Sequence, residues 1–196
     1  MNYSNILIPH KSLPKRVVNA LIVLGTSWII AISAQITFHL PFSPVPITGQ
    51  TLVVLLAGLI LGKNLGTSAV FLYLLQGAAG LPVFAGGKSG VITLFGPTGG
   101  YLIGFLAAVY IVGMLSELRF TRSILQAASA LIIGNLIIYI FGLVWLARFV
   151  GETQVLQLGL YPFLVGDLVK VILGILLSSG SSALMSRIDP IGNREY

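Results

Sequence analysis

Cysteine is absent, which excludes a disulfide framework and any thiolate metal centre. Histidine occurs twice, as His10 and His39, far apart and with no carboxylate at ligand spacing, so no metal site is expected. Charge is equally scarce. Only 8% of the residues are Asp, Glu, Lys or Arg, against about 25% in an ordinary soluble domain. The net charge of +6 does not mark a nucleic-acid surface, because the basic residues are dispersed rather than clustered with aromatics. No G-x-x-x-x-G-K-[ST] loop occurs, so nucleotide hydrolysis is not expected of this chain itself. A nucleophile–base pair at bilayer depth is also missing, and the chain is not expected to be an enzyme.

What fills the sequence instead is apolar. Residues 17–62, 64–87, 89–116, 123–147 and 171–186 contain no Lys, Arg, Asp or Glu. Several of these runs exceed the roughly 20 residues needed to cross a bilayer core. Glycine, at 23 of 196 residues, suits helices that approach closely. The pattern predicts an all-α, multi-pass membrane protein with six spans near 17–38, 50–62, 65–80, 98–116, 123–147 and 162–186. Segment 1–16 precedes this membrane domain of 17–186, and 187–196 forms a tail. The basic start followed by an apolar run imitates a signal peptide. The run to Phe38 is too long for that and lacks a small-x-small cleavage site, so it reads as the first span.

Lysine and arginine fix the orientation. With the N-terminus inside, Lys11, Lys15, Arg16, Lys63, Arg119, Arg122, Arg187 and Arg194 fall on the inner side, and only Lys88 and Arg148 on the outer. The positive-inside rule therefore places both termini in the cytoplasm. The outer connections are then 39–49, 81–97 and 148–161. The first, "HLPFSPVPITG", holds three prolines and cannot be a regular helix. The second, within "LPVFAGGKSGVITLFGPTGG", is equally apolar for a loop. Both read as lids folded over a cavity between the helices. Span two is short and needs shielding by the rest of the protein.

One pair of residues stands against this background. "FLVGDLVKVILGILL" places Asp167 and Lys170 inside span six, where each costs about 2.5–3.5 kcal/mol on the insertion scale. Counted from Pro162, Asp167 is ~7.5 Å and Lys170 ~12 Å into the membrane at 1.5 Å per residue. At i, i+3 spacing they share a helix face and neutralise one another. One reading is an ion pair that ties span six to its neighbours. The other is the polar floor of a ligand cavity, one fixed acceptor beside one fixed donor. A buried charged pair is a costly route to stability, which favours the second reading. Gln50, Thr51, Gln76, Tyr101, Tyr139 and Trp145 also occupy outer-half positions. Asn135, near the middle of span five, is expected to form an interhelical hydrogen bond.

The segments "AQITFHLPFSPVPITGQTLVVLLAGLILG" (34–62), "GAAGLPVFAGG" (77–87), "GPTGGYLIGF" (96–105) and "PFLVGDLVK" (162–170) resemble, colinearly, the BioY family of biotin-binding S-components of energy-coupling-factor (ECF) transporters. The resemblance implies a six-helix S-component in a prokaryotic cell membrane. It also implies one biotin held beneath the outer loops, and energisation by an ECF coupling membrane protein and ABC-type ATPase subunits. By similarity, the final-helix Asp and Lys of the family fall on Asp167 and Lys170. Asp167 is then expected to accept a ureido N–H and Lys170 to donate to a ligand oxygen. Phe84, Tyr101, Tyr139 and Trp145 are candidate walls for the bicycle. Gln50, Thr48 and the Gly86–Gly87 backbone are candidate polar contacts, and Lys88 is the candidate for the valerate carboxylate. Biotin is a ligand here, not a cofactor. S-components typically dock on the coupling subunit through small residues of the first helix, and the nearest match is Ser27-xxx-Ala31. An S-component or secondary transporter for a different vitamin-like solute is the alternative reading.

Overall fold

A computed structural model describes residues 14–118 and 123–188, with side chains described as far as Leu177. The expected flanking segments 1–16 and 187–196 lie largely outside the described residues, as do Lys11, Arg119, Arg122 and Arg194. The chain enters α1 (Lys15–Gln35), whose 21 residues extend about 31 Å, enough for a hydrocarbon core of about 30 Å. A minimal antiparallel pair follows, β1 (Thr37–Phe38) with β2 (Ile47–Thr48), in the register Thr37↔Thr48 and Phe38↔Ile47. Then come α2 (Gln50–Ala78), a 3-10 turn at Ala85–Gly87 and α3 (Val91–Phe95). The chain continues through α4 (Gly99–Glu117), α5 (Ile124–Val150), α6 (Val155–Gly159) and α7 (Tyr161–Ile188). A capping box at Ser123 and Gln126 starts α5, each side chain satisfying a backbone N–H of the other.

Five helices are long and apolar enough to cross a membrane, and α2 supplies two passes rather than one. Gly62 breaks it with φ 76° and ψ −179°, a conformation open to glycine because it has no Cβ. The two halves fold back on each other. Gln50 bonds to Tyr73, 23 residues on, which a straight helix would hold roughly 35 Å away. The break falls where the sequence places the gap between spans two and three, so six spans stand. The first half, residues 50–61, is too short to face lipid alone. It is sheltered: Val54, Leu55, Ala57, Gly58 and Leu59 are all buried.

Glycine lets this hairpin press on α4. A Cβ on Gly58 would stand 2.6 Å from the Val109 carbonyl, and one on Gly113 would stand 2.6 Å from the Gly62 backbone. At the same end, Glu117 accepts the Lys63 backbone N–H at 2.9 Å and pairs with its ammonium at 3.2 Å. This caps the second half of α2 just after the turn. Lys15 opens α1 at this end, whereas Gln35 closes it beside Val83 and Phe84 at the other.

The outward faces of α1 and α7 are apolar. Leu21, Leu24, Trp28, Ile29 and Ile32 are exposed on the first, and Leu168, Val169 and Ile172 on the last. Contiguous surface of this kind is at odds with water and matches acyl chains. The chain is a multi-pass membrane protein.

The expectation for Ser27 and Ala31 is corrected by this packing. Both are buried, at 0% and 4% exposure. The Ser27 hydroxyl donates to the Leu24 carbonyl at 2.7 Å, and Ala31 belongs to the core. Small side chains here bring α1 close to its own neighbours, so they are not available as an external docking face.

Candidate functional site

Three connections cluster at the end opposite Gly62. Gln35 gathers the second of them: its amide donates to the carbonyls of Val83 (3.4 Å) and Phe84 (3.2 Å), and its oxygen accepts the Gly87 N–H (3.0 Å). The Ser43 hydroxyl donates to the Leu158 carbonyl at 2.7 Å, tying the proline-rich connection to α6. Tyr101 on α4 donates to the Gly159 carbonyl at 2.9 Å. Beneath these loops lies a cleft of about 740 Å³, counting the space open to solvent at its mouth. Val45 and Pro46 line it from the first connection, and Phe84, Ala85 and Lys88 from the second.

The charged pair forms its floor. Asp167 and Lys170 stand on one face of α7, joined at 3.0 Å, with Asp167 only 8% exposed. The Tyr139 hydroxyl of α5 donates to the second carboxylate oxygen of Asp167. Lys170 donates also to the Thr51 hydroxyl of α2 at 2.9 Å. The pair is therefore fixed by two neighbouring helices. An ammonium has three N–H groups and a carboxylate about four acceptor sites, so each keeps capacity for a ligand after these contacts.

Above the pair, Thr48 donates to the Gln50 carbonyl oxygen at 3.2 Å. The Gln50 amide donates to Tyr73, whose hydroxyl donates to the Val83 carbonyl at 3.3 Å. This buried chain sets the orientation of Gln50 at the cleft wall. The walls themselves are aromatic. Phe84 is seated against Gly77, where no Cβ fits, and meets Tyr73 edge to face at 5.6 Å. Tyr101, Tyr139, Phe105 and Phe163 also line the cleft.

The structure thus gathers Asp167, Lys170, Gln50, Thr48, Phe84, Lys88, Tyr101 and Tyr139 around one space. Three expected residues are not part of it. Trp145 points away from the cleft: its indole donates to the Gly96 carbonyl at 2.9 Å and its ring carries Arg148 at 4.9 Å. It bounds a separate apolar groove between α4 and α5 with Gly100 and Phe141. Gly86 and Gly87 turn outward, both exposed, one facing the His39 ring and the other held by Gln35. Their neighbours Ala85 and Lys88 take the inward positions.

Helical spacing points to three further residues of the cleft lining. Phe105 follows Tyr101 by four residues, and Phe163 precedes Asp167 by four, so each shares a face with an expected site residue. Asn135 stands four before Tyr139, also on the cleft. The hydrogen bond expected of it is absent: its amide has no partner among the described residues.

A six-pass bundle with a lidded cleft, apolar in its walls and charged at its floor, defines a membrane-embedded subunit that binds a small solute. A sequence model of the BioY family matches residues 9–187. The probable biotin transporter BioY of Pyrococcus horikoshii is 40% identical over 151 residues, covering 76% of this chain and 87% of that protein. The biotin transporter BioY of Thermotoga maritima is 39% identical over 160 residues, covering 81% and 88%. The crystal structure of the S-component for biotin from an ECF-type ABC transporter superposes with a TM-score of 0.77 at 27% identity, over 85% of this chain and 92% of that one. The chain belongs to the BioY family.

Proposed function

We propose that this protein binds biotin in the cleft between its helices and the outer loops, as the solute-recognising subunit of a biotin uptake system. The observation that carries this reading is the ion pair of Asp167 and Lys170, buried at the cleft floor and braced by Tyr139 and Thr51. Biotin complements it. The ureido ring offers two N–H donors beside a carbonyl, suiting a carboxylate next to an ammonium. The thiophane ring is apolar and suits Phe84, Tyr101 and Phe105. Lys88, exposed at the cleft mouth, suits the valerate carboxylate.

The protein works in the plasma membrane with both termini in the cytoplasm, so the lidded cleft faces outward. Energy for release to the inside comes from separate subunits, a coupling membrane protein and ABC-type ATPases. The test is mass spectrometry of the small molecule retained by detergent-purified protein, followed by calorimetry with added biotin. Biotin is the expected species. Retention of a different vitamin, with no heat on adding biotin, would overturn the reading.

A further inference from the structure

Among the buried polar residues that line the cleft, Gln50, Asn135 and Asp167, Asn135 alone makes no side-chain hydrogen bond to a described residue. It is 8% exposed and lies near the middle of α5. Its amide makes no hydrogen bond to any described group, whereas Gln50, Thr51, Tyr139, Asp167 and Lys170 all do. The residue is buried but its amide opens onto the cleft, where no described group pairs with it and both its donor and its acceptor are left for a ligand. Its place is specific. Asn135 lines the main cleft and also a smaller one of about 190 Å³ on its inner side, together with Thr51 and Lys170. It lies one helical turn inward from Tyr139, as Lys170 lies about one turn inward from Asp167. The two helices therefore present matched levels: Tyr139 with Asp167, then Asn135 with Lys170.

We infer that Asn135 is a further ligand-binding residue, whose amide takes the edge of a cyclic urea formed by its carbonyl and one N–H. This rests on the biotin reading above and completes its polar inventory. A cyclic urea has two donors and one acceptor. Asp167 takes one N–H, and the Asn135 oxygen takes the other. The remaining N–H of Lys170 and the Asn135 NH₂ both point donors at the urea oxygen. An amide is the side chain that offers a donor and an acceptor side by side without charge. A lone carboxylate and ammonium would leave half of the urea unpaired at the buried floor of the cleft, where unpaired polar groups are costly.

The experiment uses purified full-length protein and three probes: biotin, its desthio analogue with the same urea, and its thiourea analogue with sulfur for the ureido oxygen. Wild type and Asn135→Leu are compared by calorimetry, and their ligand-free melting temperatures are measured. Asn135→Leu should bind biotin and the desthio analogue each about tenfold more weakly or worse. Its preference for urea over thiourea should shrink, because part of the contact to oxygen is gone. Its ligand-free melting temperature should not fall, since no protein–protein bond is broken. Biotin affinity equal to wild type would overturn the inference, as would an undiminished urea preference. A marked loss of ligand-free stability would instead assign Asn135 to the helix packing. Should wild type itself not bind biotin, the functional reading falls, and this inference with it.

Discussion

The two ends of this bundle are built on opposite plans. At the inner end the chain turns at Gly62, and α4 ends at Glu117 only a few residues before α5 starts at Ile124. Gly58 and Gly113 let backbones touch, Glu117 staples Lys63, and the Ser116 hydroxyl donates to the Leu59 carbonyl at 2.7 Å. At the outer end the connections are 36–49, 79–98 and 151–160, long and carrying their own short elements. Their contacts are mostly side-chain amides and hydroxyls reaching backbone carbonyls across loops. The same six spans thus enclose tight packing at one end and a cleft at the other. Short connections force antiparallel neighbours together, whereas long ones allow space between helix ends and then roof it. The cleft exists because the inner end supplies close packing that the outer end gives up.

Substituting the inner knot should therefore do the most damage. Gly113→Val would drive a branched side chain into the backbone of Gly62 and Lys63, neither of which can rotate away. A loss of about 3 kcal/mol or more is expected, seen as a collapse of the melting temperature and loss of the monodisperse peak in detergent. A stable Gly113→Val protein would show that the inner end is looser than this comparison holds.

The next effect belongs to the cleft floor. Asp167→Asn leaves Lys170 without its counter-charge and exchanges a charged acceptor for a neutral one. Charge-assisted hydrogen bonds contribute roughly 1.5–3 kcal/mol, so Asp167→Asn and Lys170→Ala should each weaken biotin binding by at least about tenfold. Insertion should survive, because removing a charge from a span favours it. Calorimetry on both variants and on the double change to Leu separates binding from packing. Full biotin affinity in the double mutant would reduce the pair to a tie between helices.

How much of this was legible in the sequence follows from what a side chain can signal. Charge-free runs delimit spans because the bilayer requires it, and Lys63 betrays the break at Gly62 because an ammonium there needs an exit. Asp167 and Lys170 are conspicuous for the same reason. Burial inside an apolar bundle is not legible in this way. Helices such as α2 and α4 are apolar all round, so periodicity does not say which face meets lipid and which meets protein. Ser27 and Ala31 were open to that ambiguity: small residues allow close approach to a neighbour in the same chain as readily as to a partner. The pairing of β1 with β2 was hidden among prolines, its strands only two residues each. Asn135 carries no such signal: polar residues within spans usually bond across helices, and only the packing of three helices together shows that no described group meets its amide.

The smallest expected effect tests where the cleft ends. Trp145 sits under two turns beyond Tyr139, its helix supplies Asn135, Ile138 and Tyr139 to the cleft, and aromatic bulk near an outer interface suits a binding wall. Its contacts say otherwise. The indole N–H holds the Gly96 carbonyl at the start of the turn into α4, and the ring carries the Arg148 guanidinium. Trp145→Phe removes that one hydrogen bond and keeps an aromatic face for the cation. Stability should drop by about 0.5–1.5 kcal/mol, the usual contribution of a single neutral hydrogen bond. Biotin affinity should stay within about twofold of wild type, under 0.5 kcal/mol. A larger loss of affinity at unchanged stability would extend the cleft to Trp145 and place the boundary between the two outer cavities in the wrong position.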